Sequence, residues 1–514
     1  MKRPHAAIDE REVGICEYVS PDTVAIGGTV KTRPEDFVVT EIDRAGSAVQ
    51  LAGGDNDDDG NAANELSDEL PFTRFVLRKE RMDTLGAIAL LSYEFGVPAR
   101  AFSFAGLKDH RAITTQEMTV RGIAPAALLT ANTHGDRLAI GRVRRVEAPL
   151  KLGMLSGNRF RILLRGVCGS ENEVEAALGA LRRRGFINYY GLQRFGDCAA
   201  RNDEVGRHLL LRDYAAAVDA LLQPHSNEGD GGAGTNSGAE REAREAWLRS
   251  GDARTVLRLM PKTRILEREV LSSLAHTLPR SGSLSHEERC RLAMLGLPLT
   301  MRRLLAHAYF SKAFNRAASE RLRRHGLSAA RQGEAVITRK RPFYGGKGPA
   351  ARRAAVHFVT AEEAAAGTYS ARRIVLPLPG AAIPAGAFDG FYAQMLDFDG
   401  IDPHAPALEC GAHEDPTKSA WLELQGDYRS LILRPRRMTW EVVRTPVAES
   451  SAHDPGMAEA APPELEPAPG TATLPPLDVL AEFDLPAGAY ATQALREVQK
   501  LHRPASRQSH IRFA

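Results

Sequence analysis

"RFRILLRGV" (159–167), followed closely by "NEVEAALGALRRRG" (172–185), decides the fold class. The first run reads as a strand, rich in branched and aromatic residues between arginines. The second reads as a helix that stops at Gly185, because glycine accepts the backbone turn that ends a helix. A doubly wound sheet would repeat this strand–helix unit at a regular cadence, and the chain does not. "KTRPEDFVVTEI" (31–42) ends in a strand after a Pro-containing turn. "DTLGAIALLSYEF" (83–95) sets Leu85, Ile88, Leu91 and Phe95 at helical spacing behind Asp83, a helix-capping residue. "RRIVLPLPG" (372–380), "TWEVV" (439–443) and "LDVLAEFDLP" (477–486) read as strands, and "AYATQALREVQK" (489–500) as a closing helix. Strands and helices mixed in this way predict an α+β fold with a mixed, largely antiparallel sheet flanked by helices.

The 514 residues exceed one ordinary core, which sets an expectation of two to four domains. Three stretches carry too little to bury and are expected to be flexible: 45–70, 224–241 and 446–475. No run of about 18 apolar residues is present, so no membrane span is expected. The polar start "MKRPHAAIDEREVG" argues against a signal peptide. Five scattered cysteines (Cys16, Cys168, Cys198, Cys290, Cys410) form no CxxC pair, which points to a reducing compartment without a zinc site.

The formal net charge of +3 conceals an asymmetry. Residues 55–69 hold seven acids and no base, and 449–466 hold five acids and no base; without those twelve the remainder stands at +15. Arginine clusters at 142–145, 182–184, 321–325, 339–341 and 434–437 supply it. A basic body suits a polyanion such as nucleic acid, although any single cluster can equally be a solvated helix face.

Several site classes are absent: no GxGxxG after a strand, no HExxH, no GxSxG, and only a loop-like "YGGKGPA" (344–350) in place of a phosphate-binding loop. Three stretches remain. In "FSFAGLKDHRAITTQ" (102–116), Asp109 follows an apolar segment with Lys108 and Arg111 beside it. A carboxylate there is either a turn cap or structural ion pair, or a nucleophile in a confined basic site. "GFINYYGLQRFG" (185–196) concentrates glycines, aromatics and amides, which could stack on and read a base or simply build a core turn. "FDLPAGAYATQALREVQK" (483–500) places Tyr490 at a turn, either as a core tyrosine or as a stacking face.

Taken together these stretches resemble the TruD family of RNA pseudouridine synthases, in its eukaryotic Pus7-like branch. "FAGLKDHRAITTQ" is similar to the family's catalytic motif and puts Asp109 on its nucleophilic aspartate. "KTRPEDFVVTEI" resembles the opening motif, with Lys31, Glu35 and Phe37 on its lysine, glutamate and phenylalanine. "NYYGLQRFG" puts Asn188 on the active-site asparagine, with Tyr190 where bacterial members usually carry phenylalanine, and "LPAGAYATQALRE" puts Tyr490 on the closing motif's aromatic position. Weaker echoes are "LGMLSGNRF" (152–160), "VLPLPG" (375–380) and "LQGDYRSLI" (424–432). Asp197 after "QRFG" departs from the small or polar residue common there, and the flexible insertions are extra.

The resemblance implies a pseudouridine synthase catalytic domain interrupted by an inserted α+β TruD domain. The expected division is a tail (1–23), a first catalytic part (24–200), the insertion (201–445), an acidic Pro/Ala-rich linker (446–475) and a closing catalytic part (476–514). The implied reaction turns uridine into pseudouridine in tRNA, of the position 13 type, without cofactor or metal. Asp109 would be the catalytic residue, and Lys31, Glu35, Phe37, Lys108, Asn188, Tyr190 and Tyr490 would bind substrate, with Lys31 as the cation beside Asp109. RNA is the expected partner, no membrane is involved, and the chain is expected to be an intracellular monomer of nucleus or cytoplasm. A non-catalytic RNA-binding or tRNA-folding factor, and a hydrolase that releases uracil, are the competing readings.

Overall fold

The computed structural model describes residues 8–51, 70–130, 137–197, 200–224, 237–277, 284–338, 349–388, 390–403, 422, 424–443 and 477–500. Among them, nine strands share one sheet. Its main path runs Arg436–Val443, Leu477–Pro486, Gly157–Val167, Phe37–Ile42, Ile113–Arg121, Phe72–Glu80, Leu138–Val146. Gly27–Thr29 pairs with Gly157–Val167, and Phe102–Phe104 with Ile113–Arg121. Every one of these pairings is antiparallel except Phe37–Ile42 with Ile113–Arg121. The fold is therefore α+β around a mixed, largely antiparallel sheet.

The quoted strand is an interior strand of this sheet, between Leu477–Pro486 and Phe37–Ile42. Phe160, Ile162 and Leu164 alternate onto one face, where they meet Phe37, Val39, Phe483 and Leu485. Helices Glu171–Arg184 and Ala491–Gln499 cover that face with Val174, Leu178, Leu181, Leu495 and Val498. Ser170 and Glu173 form a reciprocal cap that starts the first of these helices. Gly185 ends it at φ 88°, and a Cβ there would lie 2.1 Å from the Leu433 carbonyl, so only glycine fits. A second core forms where helix Thr84–Phe95 lays Ala87, Ile88 and Leu91 on Phe75, Leu77, Met118 and Val120. Asp83 caps that helix through the Gly86 amide, but Leu85 turns outward; Thr84 takes the inward place.

A helical body follows the first seven strands of this sheet, centred on the 27-residue helix Leu299–His325. It is completed by short antiparallel pairs, including Val375–Leu378 with Asp427–Ser430. Ile432–Leu433 then pairs with Phe186–Ile187, the short strand that follows helix Glu171–Arg184 on the nine-stranded sheet.

Two of the expected flexible stretches are partly ordered. Residues 237–241 of the second begin the helix Ser237–Ser250, and Glu240 is buried in it, bonded to Arg244 four residues on and to Arg264. That i,i+4 pair is what a count of glycines and serines misses. Residues 45–51 of the first form a turn in which the Val49 amide donates to the Glu41 carbonyl at 2.9 Å. Residues 52–69, 225–236 and 444–476, the "RKR" cluster, most of "YGGKGPA" and the side chain of Asp197 lie outside the described residues. Among the described residues no helix is long and apolar enough to cross a membrane, and no cluster of His, Cys, Asp and Glu is arranged to hold a metal.

Candidate active site

The loop after strand Phe102–Phe104 presents Lys108 and Asp109 in opposite directions. The Asp109 carboxylate, 35 % exposed, receives a hydrogen bond from Lys31 Nζ at 2.6 Å. Lys31 has φ 60°, a left-handed backbone that a non-glycine residue adopts at a cost of about 1–3 kcal/mol. From there its ammonium lies 4.2 Å over the Phe37 ring and reaches across to Asp109. Phe37 itself is 2 % exposed, its edge against Phe160 and its face under Lys31. It therefore supports Lys31 and does not offer a free stacking surface.

Lys108 departs from expectation in the same way. Its ammonium is bonded to Glu41 Oε2 at 2.7 Å, with side chains 3 % and 2 % exposed. The pair lies inside the sheet, where separating the partners would leave a buried charge. Lys108 is thus an anchor of the loop, not a group on the substrate side. Burial pushes the Glu41 carboxyl up, opposed by Lys108. Glu35 is exposed in the Pro34–Asp36 turn; it is the neighbouring Asp36 that is buried and gripped by Arg165 at 2.7 and 2.9 Å.

Three further residues, none singled out from the sequence, hold the same loop from behind. Lys79, fully buried, donates to the carbonyls of Met82 at 2.6 Å, Asp109 at 3.2 Å and Lys108 at 3.5 Å. Thr84 accepts from the Lys108 amide at 2.9 Å and donates to Gln116, whose amide reaches the Gly106 carbonyl at 3.2 Å. Burial lowers the Lys79 ammonium to about 8, with Asp83 and Asp109 pulling it back up and Lys108 adding to the fall. A polar residue in mid-strand, as in "FTRFVLRKE", was the available signal.

The second half of the site is an aromatic platform. The adjacent tyrosines of "NYYG" part company: Tyr189 enters the helical core, and Tyr190 stays half-buried. Tyr190 meets Tyr490 with ring centroids 6.3 Å apart and Phe314 at 5.6 Å, both edge-on. Asn315, on the long helix, clamps the Tyr190 backbone in both senses, accepting from its N–H at 2.8 Å and donating to its carbonyl at 3.1 Å. Arg429 lies 4.0 Å over the Tyr190 ring. Its guanidinium donates to the Asn188 carbonyl and side-chain oxygen, both at 2.8 Å, and to Gly488 at 3.0 Å. Asn188 in turn donates to the Ser430 carbonyl at 3.0 Å, so this nearly buried amide is the floor of the platform.

Tyr490 is the member of the platform that responds to Asp109. Burial pushes its hydroxyl up, the charges of Arg194 and Arg429 oppose this, and Asp109 adds to it. One carboxylate held by a lysine thus stands within electrostatic reach of a phenol ring that also belongs to the platform. Lys31 and Asp109 thus form one group and Asn188, Tyr190 and Tyr490 another, with Tyr490 feeling the field of Asp109; Phe37 supports Lys31, Lys108 is buried against Glu41, and Glu35 stays exposed.

The chain belongs to the family described as tRNA pseudouridine synthase D (TruD), whose model matches residues 12–498. It is 33 % identical over 445 residues to the pseudouridylate synthase 7 homolog of Bos taurus, covering 86 % of this chain and 60 % of that protein. It is 29 % identical over 450 residues to the multisubstrate pseudouridine synthase 7 of Schizosaccharomyces pombe, covering 83 % of this chain and 62 % of that one. The chain spans about 60 % of the length of these curated relatives. The crystal structure of a Methanosarcina mazei protein assigned to TruD shares the fold, with a TM-score of 0.61 at 23 % identity over 98 % of this chain and 99 % of that one.

Proposed function

We propose that this protein isomerises uridine to pseudouridine in RNA, with tRNA as the substrate class and position 13 of the D arm as the first site to examine. The observation that carries this reading is the 2.6 Å Lys31–Asp109 pair, whose carboxylate acts on Tyr490 of the Tyr190–Tyr490 platform. The target uridine leaves its stack and enters the cleft. Stacking on an aromatic ring is worth about 1–3 kcal/mol per base, which offsets much of the few kcal/mol lost on unstacking. Asp109 acts as the nucleophile, or stabilises the charge that develops at the ribose, as the C1′–N1 bond breaks. Lys31 fixes the carboxylate's direction, and Phe37 and the buried Lys108–Glu41 pair fix the loop. The freed uracil turns between the walls and rejoins through C5. N1 gains a proton and C5 loses one, so the product has the mass of the substrate. Residues 24–197 and 477–500 supply the catalytic half and the helical body the other wall, in the manner of an inserted domain.

Mapping pseudouridine in tRNA treated with the full chain and with Asp109→Asn tests this. The expected outcome is a new pseudouridine for the wild type and a loss of at least about 10³-fold for the variant, the scale of removing a nucleophile. Undiminished pseudouridine from Asp109→Asn would overturn the assignment. Release of free uracil would reveal a hydrolase, and tight RNA binding without isomerisation a binding factor.

A further inference from the structure

The platform carries two arginines in very different states. Arg429 is saturated, with its nitrogens committed to Asn188, Tyr189 and Gly488. Arg194, in the turn Leu192–Phe195, is not. Its Nε donates to Ser311 Oγ at 3.4 Å, and among the described residues its two terminal nitrogens have no hydrogen-bond partner and no carboxylate pairs with it. Ser311 is itself buried and fixed, donating to the His307 carbonyl at 2.6 Å, so its lone pair is aimed at Arg194.

The surroundings leave the guanidinium's charge uncompensated. Its central carbon lies 5.8 Å from the Tyr190 ring, and its field reaches Tyr490. Burial first, then Arg194 and Arg303, push the His307 imidazole down to about 4, so that ring adds no charge of its own near neutral pH. Asp109, the carboxylate whose field also reaches Tyr490, is already held by Lys31 at 2.6 Å. What stands beside the Tyr190 ring is a guanidinium oriented by its Nε, with the paired N–H edge that matches two oxygens of a phosphate.

We infer that Arg194 is a phosphate-binding residue that holds a backbone phosphodiester of the RNA beside the Tyr190–Tyr490 platform, so fixing the extruded nucleotide over Asp109. This rests on the proposed function for the identity of the polyanion. A phosphate held there would anchor the nucleotide's backbone while its base is free to turn, which is what an intramolecular isomerisation needs.

The test is equilibrium binding of unmodified transcribed tRNA to the full chain across a salt series, with Arg194→Ala and Arg194→Lys each built on Asp109→Asn to keep the RNA unchanged. One lost phosphate contact lowers the slope of log affinity against log salt by about 0.7–0.9. Arg194→Ala is expected to show that drop. Arg194→Lys keeps the charge and is expected to keep the slope, but on the wild-type Asp109 background its kcat falls about tenfold or more because a point charge cannot fix orientation as the fork does. A slope unchanged by Arg194→Ala, or an Arg194→Lys chain with wild-type kcat, would overturn the assignment; if the alanine chain does not fold, the lysine chain alone decides. A wild type that binds tRNA and makes no pseudouridine would sink the proposed function and leave the slope result to judge Arg194.

Discussion

At the scale of residues, the site depends on side chains that never meet substrate. Burying an ammonium costs several kcal/mol unless polar groups replace its water, and Lys79 is given three carbonyls. Two of those belong to Lys108 and Asp109. Lys79→Met is therefore expected to lower kcat about 10–100-fold with KM little changed, since a misplacement of about 1 Å at a reacting group can cost 100-fold. Steady-state kinetics on tRNA checks this. The same residue gives a pH signature. Its folded pKa, about 8, lies below the ordinary 10.5. Between those values the unfolded chain binds more protons, so stability from this position rises with pH across that window and is flat below it. Unfolding free energies of wild type and Lys79→Met should diverge in the wild type's favour from pH 8 upward. A constant gap would mean Lys79 is not desolvated.

At the scale of elements, the long helix Leu299–His325 is more than packing. Phe314 and Asn315 reach from it to position Tyr190, so the helical body determines where the platform stands. Asn315 substitutes for a strand partner, satisfying both backbone groups of a residue in an irregular turn. Asn315→Ala leaves both without that partner and is expected to destabilise the chain by roughly 2 kcal/mol or more, read as a lower denaturant midpoint. Asn315→Asp keeps the acceptor but buries a carboxylate against the Tyr190 carbonyl and should not restore the midpoint. The closing helix Ala491–Gln499 plays a similar part for the chain's start: Glu497 accepts from the Val19 and Ser20 amides at 3.1 and 2.6 Å.

At the scale of the whole molecule, charge is divided. With the twelve acids of 55–69 and 449–466 set aside the chain carries +15. Binding to RNA through six to ten phosphates would weaken by about 10³–10⁵ between 50 and 200 mM salt. Affinity measured across that range should fall on a straight double-logarithmic line; a flat line would remove RNA from the list of partners.

The strand at 159–167, the helix stopped by Gly185, the Asp83 cap and the order of the motifs were determined by the sequence alone, because periodicity, capping and glycine conformations act over a few residues. The family was legible too, since Asp109, Asn188 and Tyr490 stand in recognisable motifs. Which neighbours serve it was decided only by tertiary structure. The register that sets Glu41 beneath Lys108, the left-handed turn that swings Lys31 onto Asp109, and the helix that brings Asn315 to Tyr190 join positions 67 to 125 residues apart. Adjacent residues such as Lys108 and Asp109, or Tyr189 and Tyr190, have opposite fates because burial of a side chain depends on which surface the folded chain lays against it, and no local pattern carries that information.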